Sequence, residues 1–371
     1  MLISVLTLLC LLYSGTSAAI LLLLNGDILG LSGIFSSTFL HPIKTAEEQP
    51  WRFCFLASFF TAAAVYVNFV GPSCIQSERM PSTLAYLVGG FLVGFGTRLS
   101  NGCTSGHGIC GLARLSKRSF IAVATFMGTG ILTATLALTS HPSLRSDEPP
   151  SVSNLYGFIL TAVTLVVAWS FLKNNDKALG ATLSAGLAAI GLGLSGMVKT
   201  LKIENFLNVG LLSSDPHSFD PTLITVMGGG VIVSWMAYQF VPDFSLILPK
   251  EYCMQTPVKH AEFNVPTSSV IDWKLIGGSA SFGVGWALAC LCPGPAFFHV
   301  AAGSYKVMFV WFPTYLGGSF LAERVASPLW THRWACHSGP SSYVLIPNAA
   351  SDNNSEIALP VSEEGHVKEL V

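Results

Sequence analysis

Apolar positions along this chain gather into long unbroken runs rather than narrow stripes. Runs that reach or approach the roughly 20 residues needed to cross a bilayer cover 4–24, 52–72, 84–100, 118–140, 153–172, 178–198, 222–241, 273–291 and 306–326. Short polar joints such as HPIKTAEEQPWR, GPSCIQSERMPS and LKNNDK separate them, and one longer loop, 242–272, carries Pro242, Pro249, Pro257 and Pro266. From Ser327 onward the chain turns polar, and this tail is expected to be disordered. The pattern predicts an all-α, polytopic membrane helical bundle. The first run could be read as a signal peptide cleaved near Ala18, but it lacks a charged leader and stays apolar to Leu24, so it is taken as a membrane helix.

Several apolar runs are interrupted by glycine-rich turns without basic residues: GDILGLSG (26–33), SNGCTSGHGICG (100–111), GLGLSGM (191–197) and CLCPGPA (290–296). Irregular backbone at membrane depth survives only where protein buries it or where it lines a watery cavity. These segments are therefore expected to be re-entrant or broken short helices.

The breaks come in pairs. An offset of 189 carries Gly89 to Gly278, Gly94 to Gly283, Gly96 to Gly285, Leu99 to Leu288, Cys103 to Cys292, Phe120 to Phe309 and Gly128 to Gly317. Separately, Gly30-Leu31-Ser32-Gly33 recurs as Gly193-Leu194-Ser195-Gly196. The expected organisation is a first repeat over 1–145, a second over 146–326 and a tail over 327–371. If each half makes an odd number of crossings, the two insert with opposite orientation, as an inverted internal repeat. Paired breaks in such repeats point to a transport site near the midplane. Close helix packing would explain the glycines, but not a cysteine heading the break in both halves.

Composition sharpens this reading. Only 11% of residues are charged, against roughly 25% in soluble domains, so there are too few charges for a water-facing surface. A net charge of −1 gives no basic face for nucleic acid. The nine cysteines fall mostly within apolar runs, where a thiol packs as a small apolar group rather than as part of a disulfide framework. The chain reads as a multi-pass plasma-membrane protein.

The candidate permeation residues cluster at the breaks. Cys103 and Cys292 would face each other across a pseudo-two-fold axis, each beside a half-helix N-terminus whose amides favour anions. Thr104, Ser105 and the amides of Gly106 and Gly108 would add donors after Cys103, while Pro293 and Gly294 open the second break. Ser32 and Ser195 belong to the repeated tetrapeptide. His107 is expected to hydrogen-bond across its break or to gate the path. A metal site from Cys103, His107 and Cys110 is disfavoured by the intervening glycines, and no metal or cofactor is expected. Arg98 is a charge within a repeat helix, either drawing substrate or pairing with a carbonyl at the membrane edge. Lys199 and Lys202 are read as headgroup anchors, and Asp27 as break or interface.

The stretches GLSG, GFGTRLSNGCTSGHGICGLARLSKRS, GLGLSGM, KIENFLNV, FDPTLITVMGGG and GVGWALACLCPGPA resemble the YeeE/YedE sulfur-transport family over roughly residues 20–325. The resemblance implies an hourglass-shaped bundle with short helices looping in from both sides, and uptake of thiosulfate or a related sulfur anion past pocket cysteines. Two of the family's three functional cysteines correspond to Cys103 and Cys292; the other falls near Gly30, where this chain has none. The implied partners are a small sulfur anion, the bilayer and a soluble sulfur carrier. No P-loop appears, so direct ATP drive is not expected. Two other readings remain at this stage: a membrane thiol enzyme handling sulfane sulfur through the same cysteines, and a structural membrane protein binding a partner through its tail.

Overall fold

The apolar runs fold as helices whose ends follow local cues. In the computed structural model the described residues are 14–140, 144–146, 157, 159, 161–163, 165–166, 176–254, 262–335, 343–347 and 356–360. Much of the predicted runs 4–24 and 153–172, and most of the tail, lie outside them. The helices are α1 (Ser14–Asn25), α2 (Leu31–Leu40), α3 (Pro42–Glu48), α4 (Trp51–Val70), α5 (Thr83–Ser100), α6 (Thr104–Gly111, wound as a π-helix) and α7 (Lys117–Ser140). They continue as α8 (Ala178–Ser195), α9 (Thr200–Leu207), α10 (Leu211–Ser214), α11 (Thr222–Tyr238), α12 (Trp273–Ala289), α13 (Pro293–Ala301) and α14 (Phe312–Ala335).

Polar caps start the two central helices: Ser82 accepts from the Ala85 amide, and Asp272 from the Leu275 amide. Glycines in the left-handed region stop α1 and α8, with Gly26 at φ 74° and Gly196 at φ 68°. Among the described residues, three helical stretches are long and apolar enough to cross a membrane alone, Trp51–Val70, Lys117–Leu136 and Ala178–Ser195; α12 and α13 qualify only together, bent by 42° at their break. Large apolar side chains stand exposed on α7 and α11, among them Phe120, Leu132, Leu136, Ile224 and Ile232. Such a surface suits lipid rather than water. This is a membrane bundle with broken helices.

Its centre is the seam between α5 and α12. A Cβ on Gly89 would come within 2.9 Å of the Gly285 carbonyl, and one on Gly278 within 3.0 Å of the Gly96 carbonyl. As residue numbers rise along α5 they fall along α12, so the two helices run antiparallel. The offset of 189 turns each of these contacts into the other. It does the same for Gly94, pressed on the Tyr315 backbone, and Gly283, pressed on that of Phe126. Ser281 donates to the Leu92 carbonyl at 3.3 Å, and those two positions are themselves 189 apart. Only glycine permits backbones this close.

The repeated tetrapeptide behaves differently. Gly30 caps the start of α2, with Leu31 and Ser32 in its first turn, whereas Gly193, Leu194 and Ser195 close α8 and Gly196 follows it. The two copies thus lie on opposite sides of their breaks, and the left-handed Gly26 and Gly196 are the positions that match in backbone role. Around α2, rings of Phe35, Phe55, Phe59, Phe60 and Phe297 pack together; Phe35 and Phe297 stack with centroids 3.7 Å apart. This fixes α13 against α2 and α4. Two short strands, β1 (Met80–Pro81) and β2 (Arg145–Ser146), pair antiparallel.

Residues 324–371 form a unit of their own, in which β3 (Tyr343–Pro347) pairs antiparallel with β4 (Glu356–Pro360).

Candidate functional site

The two cysteine-led breaks share one backbone course. After α5, Asn101 turns left-handed at φ 61° and Cys103 is extended as it enters α6. After α12, Cys290 turns left-handed at φ 51° and Cys292 is extended as it enters α13. Asparagine takes that conformation readily; cysteine does so at a cost. Pro293 at the first position of α13 gives up an amide that the helix would leave unpaired anyway.

The breaks meet. Thr104 of the first donates its hydroxyl to Cys292 Sγ of the second at 3.5 Å. Cys103 Sγ lies 3.3 Å from Ser105 Oγ, which also accepts the Leu31 amide from the start of α2 at 3.2 Å. Ser105 therefore joins the first cysteine to a third broken segment. Gly106 backs onto Gly30, where a Cβ would reach only to 3.9 Å from the Gly30 Cα. Gly294 is tighter, since a Cβ there would meet Leu31 Cδ1 at 2.9 Å.

A cavity of about 80 Å³ opens at this junction, with Thr104, Ser105, Cys292, Gly294, Trp286 and Met227 in its wall. The rest of its lining is aliphatic except for Ser14 and Pro295, and no ionised side chain is among the described residues that form it.

Several predicted residues stand elsewhere. Cys103, 1% exposed, is absent from the cavity wall and communicates with it through Ser105. His107 spans its own break: Nε2 lies 3.2 Å from the Ser100 carbonyl and so donates, leaving Nδ1 to accept from Ser119 Oγ at 3.1 Å. Gly108 sits a turn further along α6 against Met227. Arg98 does not line the cavity. Its side chain reaches Glu323 at 2.5 Å, and His41 holds the same carboxylate at 2.8 Å, because an arginine in the last turn of an apolar helix can extend to find a counter-charge. Ser32 offers its carbonyl to Tyr315 OH at 3.1 Å, while the Ser195 hydroxyl donates back to the Leu192 carbonyl at 3.1 Å; neither lines the cavity. Lys202, expected at the headgroups, folds back onto the Ser195 carbonyl at 3.2 Å. Asp27 is buried and paired with Lys177 at 2.8 Å, with Asn264 donating to its other oxygen at 3.3 Å.

Two residues that sequence reasoning missed stand at the second break. Trp286 is buried in the cavity wall, and its offset partner is Thr97, so the repeat gave no sign of it. Arg145 lies outside both repeat helices. It reaches Glu204 Oε2 at 2.9 Å, the Leu288 carbonyl at 3.0 Å and Cys290 Sγ at 3.2 Å.

Two family models match separate parts of the chain. A family model described as sulphur transport matches residues 1–132, and one described as a family of unknown function (DUF6691) matches residues 177–324. A protein of Xylella fastidiosa (strain 9a5c) named "Probable transporter" is 41% identical over 121 residues, which are 33% of this chain and 85% of that protein. Another with that name, from strain Temecula1 / ATCC 700964, is 34% identical over 127 residues, covering 34% of this chain and 76% of its own length.

Proposed function

The chain belongs to the sulphur transport (YeeE/YedE) family, and from that premise we propose that it carries thiosulfate or a related sulfur-containing anion through the point where its two cysteine-led breaks meet. It is an integral membrane protein, and its coarse role is that of a membrane transporter. The observation that carries this reading is the Thr104–Cys292 contact at 3.5 Å beside a cavity of about 80 Å³.

The chemistry follows from the donors. Thr104 gives its hydroxyl hydrogen to Cys292 Sγ, which leaves the Cys292 S–H free to point at an incoming ion. The first amides of α6 have no intrahelical acceptor. In α13, which opens Pro-Gly-Pro, Gly294 alone among the first three residues has an amide hydrogen to offer. A thiol is a weak donor, and conduction requires contacts strong enough to admit an ion yet weak enough to release it. Cys292, Thr104 and Ser105 form one weak station, and Cys103 behind Ser105 forms the next. The antiparallel seam of α5 and α12, with its interchangeable contacts, supports the further reading that the halves are inverted copies around this path.

Uptake of radiolabelled thiosulfate into cells or proteoliposomes tests the proposal. Cys292→Ala and Cys103→Ala should each lower uptake at least tenfold, a loss of about 1.4 kcal/mol or more in transition-state stabilisation. Undiminished uptake in both variants removes the cysteines from the mechanism.

A further inference from the structure

Every helix that stops at a break presents two opposed electrical ends. The next segment begins with amides carrying partial positive charge, but the helix just finished leaves carbonyls carrying partial negative charge, equivalent to about half an electron at each end. In a low-dielectric interior these would largely cancel for an anion arriving between them.

At three breaks a cation holds the carbonyl end. The Ser100 carbonyl, last in α5, accepts from Arg118 Nη2 at 3.2 Å. The Ser195 carbonyl, last in α8, accepts from Lys202 Nζ at 3.2 Å. The Leu288 carbonyl, in the last turn of α12, accepts from Arg145 Nη1 at 3.0 Å. The cations come from unrelated places: the start of α7, the first turn of α9, and β2. The offset of 189 carries Arg118 to Val307, so the arrangement is not inherited from the repeated sequence. Two of the cations have a carboxylate as a further partner, Glu204 at 2.9 Å from Arg145 and Asp220 at 3.9 Å from Lys202.

Ending a helix does not require this. Gly196 already terminates α8 through its left-handed backbone. The Arg145 side chain is 8% exposed and that of Glu204 13%, and burying such a pair is costly to desolvate. We infer that Arg118, Lys202 and Arg145 are positioning residues for charge, which cancel the carbonyl ends of α5, α8 and α12 so that a small anion at the breaks meets amide ends alone. This rests on the proposed anion path and adds to it the groups that set charge selectivity. None of the three needs to touch the ion.

The test compares alkylation of Cys292 in the full-length protein by iodoacetate and by iodoacetamide, reagents of similar size that differ by one negative charge. Adducts on Cys292 are quantified by tandem mass spectrometry. Arg145→Gln should lower the iodoacetate-to-iodoacetamide rate ratio about fivefold, while Arg145→Lys, which keeps the charge, should stay within about twofold of wild type. Lys202→Gln should lower the ratio about threefold; its neighbour Ile203 lines the same cavity. In uptake, the KM for thiosulfate should rise by a similar factor in the glutamine variants with little change in Vmax. Should Arg145→Gln fail to elute as folded protein on size exclusion, Lys202→Gln and Arg118→Gln decide the matter. An unchanged ratio in folded glutamine variants overturns the inference, as does an Arg145→Lys ratio as low as that of Arg145→Gln. A ratio that behaves as expected in a protein that takes up no thiosulfate keeps the charge assignment and overturns the substrate reading instead.

Discussion

The break led by Cys103 and the break led by Cys292 have the same backbone and different surroundings. Each follows a glycine-rich helix, turns left-handed two residues before its cysteine, and re-enters a short helix. Yet Cys103 is sealed against Ser105, while Cys292 stands in a cavity wall and receives a hydrogen bond from the opposite half. The left-handed position is Asn101 in one and Cys290, held by Arg145, in the other. Backbone repetition therefore fixes where two thiols are carried, and the side chains around them decide what each one faces.

The largest effect that can break this comparison is where the two seam helices meet their outer neighbours, Gly94 of α5 against Tyr315 of α14 and Gly283 of α12 against Phe126 of α7. Gly94→Ala and Gly283→Ala each drive a methyl into backbone of the facing helix, so each should destabilise the protein by about 2–3 kcal/mol, read as loss of thermal stability in detergent. The offset-related Gly128→Ala and Gly317→Ala have nothing within 4 Å and should change stability by less than about 0.5 kcal/mol. If members of one pair behave oppositely, the halves are not packed as equivalents. Next in size is a difference between the thiols: Cys292→Ser, which keeps a small donor at the cavity, should retain more uptake than Cys292→Ala, whereas Cys103→Ser and Cys103→Ala should differ less because Cys103 does not reach the cavity. A smaller effect is expected from Thr104→Val, which removes the hydrogen bond to Cys292 and should lower uptake about threefold. The smallest is Gly30→Ala, where φ is −105° and a Cβ meets nothing within 4 Å; uptake should stay within about twofold of wild type.

Much of this architecture is legible in the sequence because a bilayer demands long apolar runs and forbids unsatisfied backbone. The ends of α4, α5, α7 and α12 fall within a few residues of the runs that predict them, and the 189-residue offset pairs the two cysteines that head the breaks. What escapes is whatever depends on contacts between distant segments. The tetrapeptide GLSG recurs as a string but lies after its break in one half and before it in the other, because α1 already stops at Gly26 while α8 runs on to Ser195. Arg98 looks like a buried charge from its neighbours in sequence, but Glu323 is 225 residues away. Arg145 sits in an unremarkable polar joint, and nothing local announces that it reaches Leu288 and Cys290. The short helices α3, α9 and α10 are hidden in joints too polar and brief to show a period.

The most direct test is a structure of the protein in lipid nanodiscs with saturating thiosulfate. The account predicts density for the anion in the cavity between Thr104 and Cys292, within hydrogen-bonding distance of the Cys292 sulfur. Anion density at another site in the membrane interior, with this cavity unaltered, would contradict it.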